Sequence, residues 1–129
     1  MTRRERLHRA LDAILDRPII VYHGTTQKRL ASILEHGFRP DTHFARYVAT
    51  AHNYAHWASK RVNKHSAPVV IAVNRDHPSM RCIKPYEDRY YKSENPVPAE
   101  AVKGWASAGK KHSDHGYKDT IKNLKAKNL

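Results

Sequence analysis

Apolar positions along this chain follow two periods, and the changes between them divide it into elements. Leu7, Leu11, Ile14 and Leu15 recur at helical spacing and predict an amphipathic helix over residues 3–16. Thr2 and Glu5 stand at capping-box spacing at its start, and Pro18 ends it. The run Ile19-Ile20-Val21-Tyr22 is β-branched and aromatic, as in a short buried strand. His23-Gly24-Thr25-Thr26 breaks that run and reads as a loop. Leu30, Ile33 and Leu34 then share a helical face that stops at Gly37, with Phe38 placed to pack back onto it.

Further along, Arg39 to His43 is turn-rich, and Arg46 to Thr50 reads as a short strand. Thr50 is placed to cap a helix from Ala51 to about Asn63, with Tyr54, Ala55, Ala58 and Val62 along one side. Its alanines allow a close approach to a sheet. Val69 to Val73 is too continuously apolar for a half-exposed strand, which makes it the expected central strand of the core. Asn74 to Pro78 reads as a turn, Met80 to Ile83 and Arg89 to Lys92 as strands, and Val97 to Val102 as one helical turn entered through Pro98. After Gly104 the chain turns polar. Gly109 to Gly116 resembles a flexible linker, and a last helix over 118–124 has only Ile121 and Leu124 to anchor it.

These elements make an α+β protein of one domain: an N-terminal helix (1–18), a core (19–103) and a short basic tail (104–129). No apolar run is long enough for a membrane span, and the basic start lacks the apolar stretch of a signal peptide. Cys82, the sole cysteine, excludes an internal disulfide framework and fits a reducing compartment, so a cytoplasmic location is expected. The formal net charge of +12 changes the picture most. Nucleic acid is the commonest physical reason for such a charge, because each neutralised phosphate releases counterions. An acidic protein partner or an anionic membrane surface would also account for it. Arg3, Arg6 and Arg9 on the first helix, and Lys110 and Lys111 in the tail, are candidate phosphate contacts; a solvated basic face explains the first set equally well.

Two histidine patterns call for chemistry. His52 and His56 stand four apart, as on a metal-binding helix face, but no Glu follows His52 and no third ligand is evident. They are read as surface residues, and no metal is expected. His23, by contrast, sits with Gly24, Thr25 and Thr26 between a strand and a helix, where polar side chains are fixed from both sides. An ordinary loop histidine beside a turn glycine is the plain alternative.

The stretch Tyr22-His23-Gly24-Thr25, followed by a helix closing on Gly37-Phe38, resembles the first motif of the ADP-ribosyltransferase fold superfamily. Tyr47 with Ala51-His52-Asn53-Tyr54-Ala55 resembles its second motif, and Glu94 with Val97-Pro98 its third, so the similarity covers roughly Ile19 to Val102. The resemblance implies a small split, mixed β-sheet core and chemistry on NAD as substrate, without a metal. It also implies a His-Tyr-Glu set of His23, Tyr47 and Glu94, with Glu87 and Asp88 as alternatives for the acidic position. His23 would bind the adenosine ribose, Gly24 backbone groups the carboxamide, Thr25 would belong to the cofactor site, and Tyr47 or Tyr54 would stack on nicotinamide. The carboxylate would hydrogen-bond the nicotinamide ribose, whose carbon gains positive charge as the ring leaves.

Arg46, Arg61, Pro68-Val69-Val70-Ile71 and Tyr91-Lys92-Ser93-Glu94-Asn95 are also similar to a branch of that superfamily, the NAD-dependent RNA 2′-phosphotransferases. That similarity implies a phosphate-holding role for Arg46 and Arg61. The basic N-terminal lobe of those enzymes is absent here or reduced to one helix. Three readings therefore stand: an ADP-ribosyltransferase whose acceptor is nucleic acid or a nucleic-acid-associated protein, an RNA 2′-phosphotransferase, or an inactive basic nucleic-acid-binding module on the same fold.

Overall fold

The computed structural model describes residues 2–4, 6–7, 20–80, 83–87, 90–110 and 116–129. Arg3, Arg4, Arg6 and Leu7 are helical, while Arg9, Leu11, Ile14 and Leu15 of the expected first helix lie outside the described residues. So do Cys82, Asp88 and Lys111. From Ile20 the order is β1 (Ile20–Thr26), α1 (Gln27–His36), β2 (His43–Ala45), α2 (Val48–Arg61), β3 (Pro68–Asn74), β4 (Lys84–Glu87), β5 (Tyr90–Lys92), β6 (Val102–Ser107) and α3 (Gly116–Ala126). Single 3₁₀ turns at Pro78–Met80 and Ala99–Ala101 complete it.

The six strands form one sheet in the order β4-β5-β2-β1-β3-β6. Every pairing is antiparallel, so the mixed sheet expected from sequence is not what forms. Pairing is uneven across the sheet. β1 and β3 register along all of β1, from Ile20↔Asn74 to Thr26↔Pro68, whereas β1 and β2 register only at Tyr22↔Ala45. Beyond that pair the sheet parts into β4-β5-β2 and β1-β3-β6.

Alternation along β1 and β3 builds a different core on each face. On one face Val21, Val69, Ile71 and Val73 pack with Leu30 of α1 and with Phe38, Phe44, Met80, Tyr91 and Val97. On the other, Val70, Ala106 and Ala45 meet Ala51 and Ala55 of α2 and Leu124 of α3. The expected core strand is borne out, since Val69 to Val73 are all buried. α1 is also as expected. Thr26 caps it by accepting from the Arg29 N–H at 3.4 Å, and Gly37 ends it at φ 79°, a left-handed conformation natural to glycine. Phe38 then drops into the core and bridges Val97.

Several boundaries differ from the sequence reading. His23 to Thr26 are strand, not loop, because β3 supplies partners along the whole of β1. β2 is His43–Ala45 rather than Arg46 to Thr50; α2 begins at Val48, with Tyr47 at its N-cap and Thr50 within its first turn. After the turn ending at Met80 the strand falls at Lys84–Glu87. The expected tail boundary at 104 lies inside β6, which pairs with β3 from Val73↔Val102 to Val69↔Ser107. α3 continues from there onto α2, burying Gly116, Thr120 and Leu124.

Candidate active site

Where β1 and β2 part, a cleft of about 460 Å³ opens, within the usual range for small-molecule sites. β1 contributes Tyr22, His23, Gly24 and Thr25; α1 contributes Arg29, Ser32 and Ile33; the segment after it contributes Arg39, Asp41 and Thr42. Thr50, Ala51 and Tyr54 of α2 line the opposite side, and Tyr86 and Tyr90 of the β4–β5 hairpin line the end next to His43.

His23 is the best-defined polar group in it. Its Nδ1 lies 2.9 Å from the His43 carbonyl oxygen, an acceptor only, so Nδ1 carries the proton and the neutral ring keeps Nε2 as an acceptor. The ring is wedged between Phe38 and Phe44, with centroids at 5.3 and 5.9 Å. Burial lowers its pKa to about 4, the bond to His43 opposes that shift, and the charges of Arg29 and His43 add to it. At neutral pH His23 is therefore an uncharged acceptor at the base of the cleft. Burial also raises the Tyr22 hydroxyl above its ordinary pKa, keeping it a donor.

Gly24 serves a purpose the sequence reading did not assign. A Cβ there would overlap the Ala51 carbonyl oxygen and lie 2.8 Å from the Ala55 nitrogen. Its missing side chain lets α2 sit directly on β1, backbone against backbone. Thr25 is buried while lining the cleft.

Of the residues singled out from sequence, His23, Gly24, Thr25 and Tyr54 converge on the cleft. Tyr47 does not line it; it is exposed at the start of α2, with the Arg46 guanidinium 5.8 Å from its ring centroid. Glu94 is also outside the lining, and its Oε1 takes an exposed bond of 3.0 Å from Lys84 Nζ. It nevertheless follows Ser93, whose carbonyl accepts from the Asp41 N–H at 2.8 Å, so it sits one residue from the cleft's rim. Among the described residues, the carboxylate that lines the cleft is Asp41; Asp88 lies outside them. Arg61 and Lys110 are exposed away from it.

Sequence reasoning missed Arg29, Arg39, Asp41, Tyr86 and Tyr90. For Arg29 a signal existed, because Arg29, Ser32 and Ile33 share one helical face at spacings of three and four. Tyr86 and Tyr90 reach the cleft only because β5 pairs with β2, Ala45 opposite Tyr90, a pairing that no local pattern encodes.

His52 and His56 are not the surface residues expected. His52 is fully buried with Nδ1 2.7 Å from the Thr120 hydroxyl, which also accepts the Gly109 N–H at 2.7 Å. His56 Nε2 donates to the Gly109 carbonyl at 2.6 Å. The pair ties α2 to α3 and to the loop between β6 and α3. Among the described residues no group of three His, Cys, Asp or Glu is gathered as for a metal, and no helix is long and apolar enough to cross a membrane. No protein-family model matches the chain, and a search of curated proteins found no match.

Proposed function

We propose that the protein is an NAD-dependent ADP-ribosyltransferase of the ADP-ribosyltransferase fold type, with nucleic acid or a nucleic-acid-associated protein as acceptor. One observation carries the reading: a neutral His23, oriented by the His43 carbonyl, lies at the base of a cleft that opens where the sheet parts. The rest of the lining fits a dinucleotide. Tyr54 on one side and Tyr86 and Tyr90 on the other offer faces for two flat rings. Arg29 and Arg39 supply guanidinium groups for a pyrophosphate, which binds arginine in bidentate fashion.

In this arrangement His23 Nε2 accepts from a ribose hydroxyl, and Tyr54 stacks on the ring that departs. NAD supplies a glycosidic bond that is already cationic at nitrogen, so its cleavage requires no proton from the protein. The protein instead orients the ribose and favours the positive charge developing at its carbon, a task for a carboxylate. Glu94, with Glu87 and Asp88 as alternatives, is the carboxylate that the resemblance implies, and among the described residues Asp41 lines the cleft.

A second reading rests on Glu94 being turned to Lys84 outside the cleft. It is a basic nucleic-acid-binding module on the same fold, without catalysis. The RNA 2′-phosphotransferase reading assigns phosphate to Arg46 and Arg61, neither of which lines the cleft; Arg29 and Arg39, which do, would equally hold a phosphorylated RNA end.

Incubation with NAD labelled in the adenylate moiety, together with separate protein, DNA and RNA fractions, tests all three. Label on a polymer or free ADP-ribose supports the transferase, and its loss in a folded His23→Ala variant ties the activity to this cleft. Unchanged turnover in that variant overturns the reading. Salt-dependent nucleic-acid binding with no NAD turnover supports the inactive module. Consumption of an RNA 2′-phosphate supports the phosphotransferase.

A further inference from the structure

The outward face of α2 belongs to neither core. Tyr54 and Arg61 stand seven residues apart and so share one row along it, with Trp57 in the adjoining row, while Tyr47 at the N-cap and Lys64 just past the last turn flank it. All five are exposed, the three aromatics at 52, 45 and 49% for Tyr47, Tyr54 and Trp57. Tyr54 and Trp57 lie against each other, centroids 5.4 Å apart and planes inclined by 39°. Lys60 is exposed beside them. An aromatic half and a basic half thus follow one another over about 21 Å of helix, at 1.5 Å per residue.

Two features show what covers this face. The sequence contains no Asp or Glu between Asp41 and Asp76, so the whole of α2 and its flanks is a carboxylate-free part of a chain of net charge +12. Three of the four large apolar side chains exposed on α2 and at its ends, Tyr47, Tyr54 and Trp57, are aromatic, and the aliphatic one, Val62, stands at the C-cap. A protein-binding helix face would bring aliphatic anchors, and a membrane-seeking one would bring leucine or phenylalanine. Flat rings followed by cations suit unpaired bases, which stack on the rings while their phosphates meet Lys60, Arg61 and Lys64. Duplex bases are already stacked on one another and present no free faces.

We infer that the outer face of α2 is a stacking platform for single-stranded nucleic acid, leading at Tyr54 into the cleft. As an account of the acceptor it rests on the transferase reading; as a binding surface it does not need NAD. Tyr54 belongs to both, since it lines the cleft and touches Trp57, and a strand stacked along α2 would therefore bring one nucleotide to the cleft's mouth.

The test uses the whole chain and fluorescein-labelled 12-nucleotide DNA and RNA oligomers, single-stranded and duplex, with affinity read by anisotropy over a range of salt. Single strands are expected to bind more tightly than the duplexes. Trp57→Ala should weaken single-strand binding about 5- to 150-fold, the loss of one stacked base, and leave the salt slope unchanged. Trp57→Phe should restore most of it. A Lys60→Ala/Arg61→Ala variant should lower the slope of log affinity against log salt by roughly 1.4, or 0.7 for each phosphate contact. NAD binding, measured by calorimetry, should be unchanged in Trp57→Ala, because Trp57 does not line the cleft. If Trp57→Ala loses oligomer binding while the parent protein neither binds nor turns over NAD, the platform stands and the transferase reading falls. If NAD chemistry is intact and Trp57→Ala binds oligomers normally, the platform is overturned. Duplex bound as tightly as single strand, binding only to vesicles containing phosphatidylserine, or a Trp57-dependent self-association without oligomer binding would overturn it as well.

Discussion

The two cores on either side of the sheet solve the same packing problem in opposite ways. Beneath α1, large side chains such as Leu30, Phe38, Phe44, Ile71 and Tyr91 fill the space. Beneath α2 the space hardly exists: Gly24, Ala51 and Ala55 bring backbone against backbone, and Val70, Ala106 and Leu124 fill the remainder. A core of large side chains can redistribute a change in volume among many rotamers. A core of alanine and glycine leaves only the helix itself to move. Polar groups are used differently too. The thick side carries the partly exposed His23 at the cleft, whereas the thin side buries the His52–Thr120–Gly109 bonds as structural ties.

The most severe way to break the thin side is Val70→Asp. Val70 has no exposed surface, and a carboxylate there would have no partner among alanines. The expected result is loss of the cooperative thermal transition, followed by circular dichroism. Gly24→Ala tests the close approach itself. One added methyl should cost about 3 kcal/mol in urea unfolding, at the upper end of overpacking effects, because the Ala51 carbonyl cannot rotate away. A variant as stable as the parent would show that α2 lifts freely.

On the thick side, His23 makes stability depend on pH. Its folded pKa of about 4 lies below the ordinary 6.5, so between those values the unfolded chain binds the proton more readily. The contribution is complete above pH 6.5 and is lost as pH falls towards 4. For a ring partly open to solvent it should amount to roughly 1–3 kcal/mol. Subtracting the stability–pH curve of His23→Gln from that of the parent isolates it from the other histidines. A flat difference between pH 4 and 6.5 would remove burial as the cause of the neutral ring. The smallest effect expected is that of Thr120→Val, which keeps the shape of the side chain but removes the acceptor of the Gly109 N–H and the partner of His52. It should cost about 1–2 kcal/mol, with amide exchange rising first in α3 and at Gly109.

The thick core was largely legible in the sequence; of the thin one, α2 with its close-packing alanines and the helical span of α3 were legible, but β6 was not. The run Val69 to Val73 and the α1 face ending on Gly37-Phe38 announce themselves because large apolar residues recur at strand and helix periods. β6 reads Val-Lys-Gly-Trp-Ala-Ser, and α3 is held by Thr120, Gly116 and the single large residue Leu124. Small and polar anchors carry little periodic signal, so the sequence shows α3 as a helix but not its attachment to α2, and does not show β6 as a strand. The cleft shows the same division. His23, Gly24 and Tyr54 belong to continuous motifs, whereas Arg39, Tyr86 and Tyr90 reach it through loops and strand pairing distant in sequence. His23 to Thr26 carry a loop-like sequence because a polar run inside a strand makes sense only where the sheet parts and side chains face a cleft.

The α3 helix also occupies carbonyls at one edge of the sheet. Asn123 Nδ2 donates to the Ser107 carbonyl at 2.9 Å, and Lys127 Nζ to that of Trp105 at 3.1 Å. Both carbonyls lie on β6, the last strand of the sheet on that side, where an open edge would template a strand from another molecule. At the opposite edge β4 carries Pro85, which has no N–H to offer, and its register with β5 shifts between Pro85 and Glu87. One edge is therefore plugged by side chains from a helix and the other is chemically blunted. A sheet protein with so many β-branched residues in its centre thereby keeps its hydrogen-bonding capacity to itself, and edge-to-edge growth is discouraged at both ends by unrelated means.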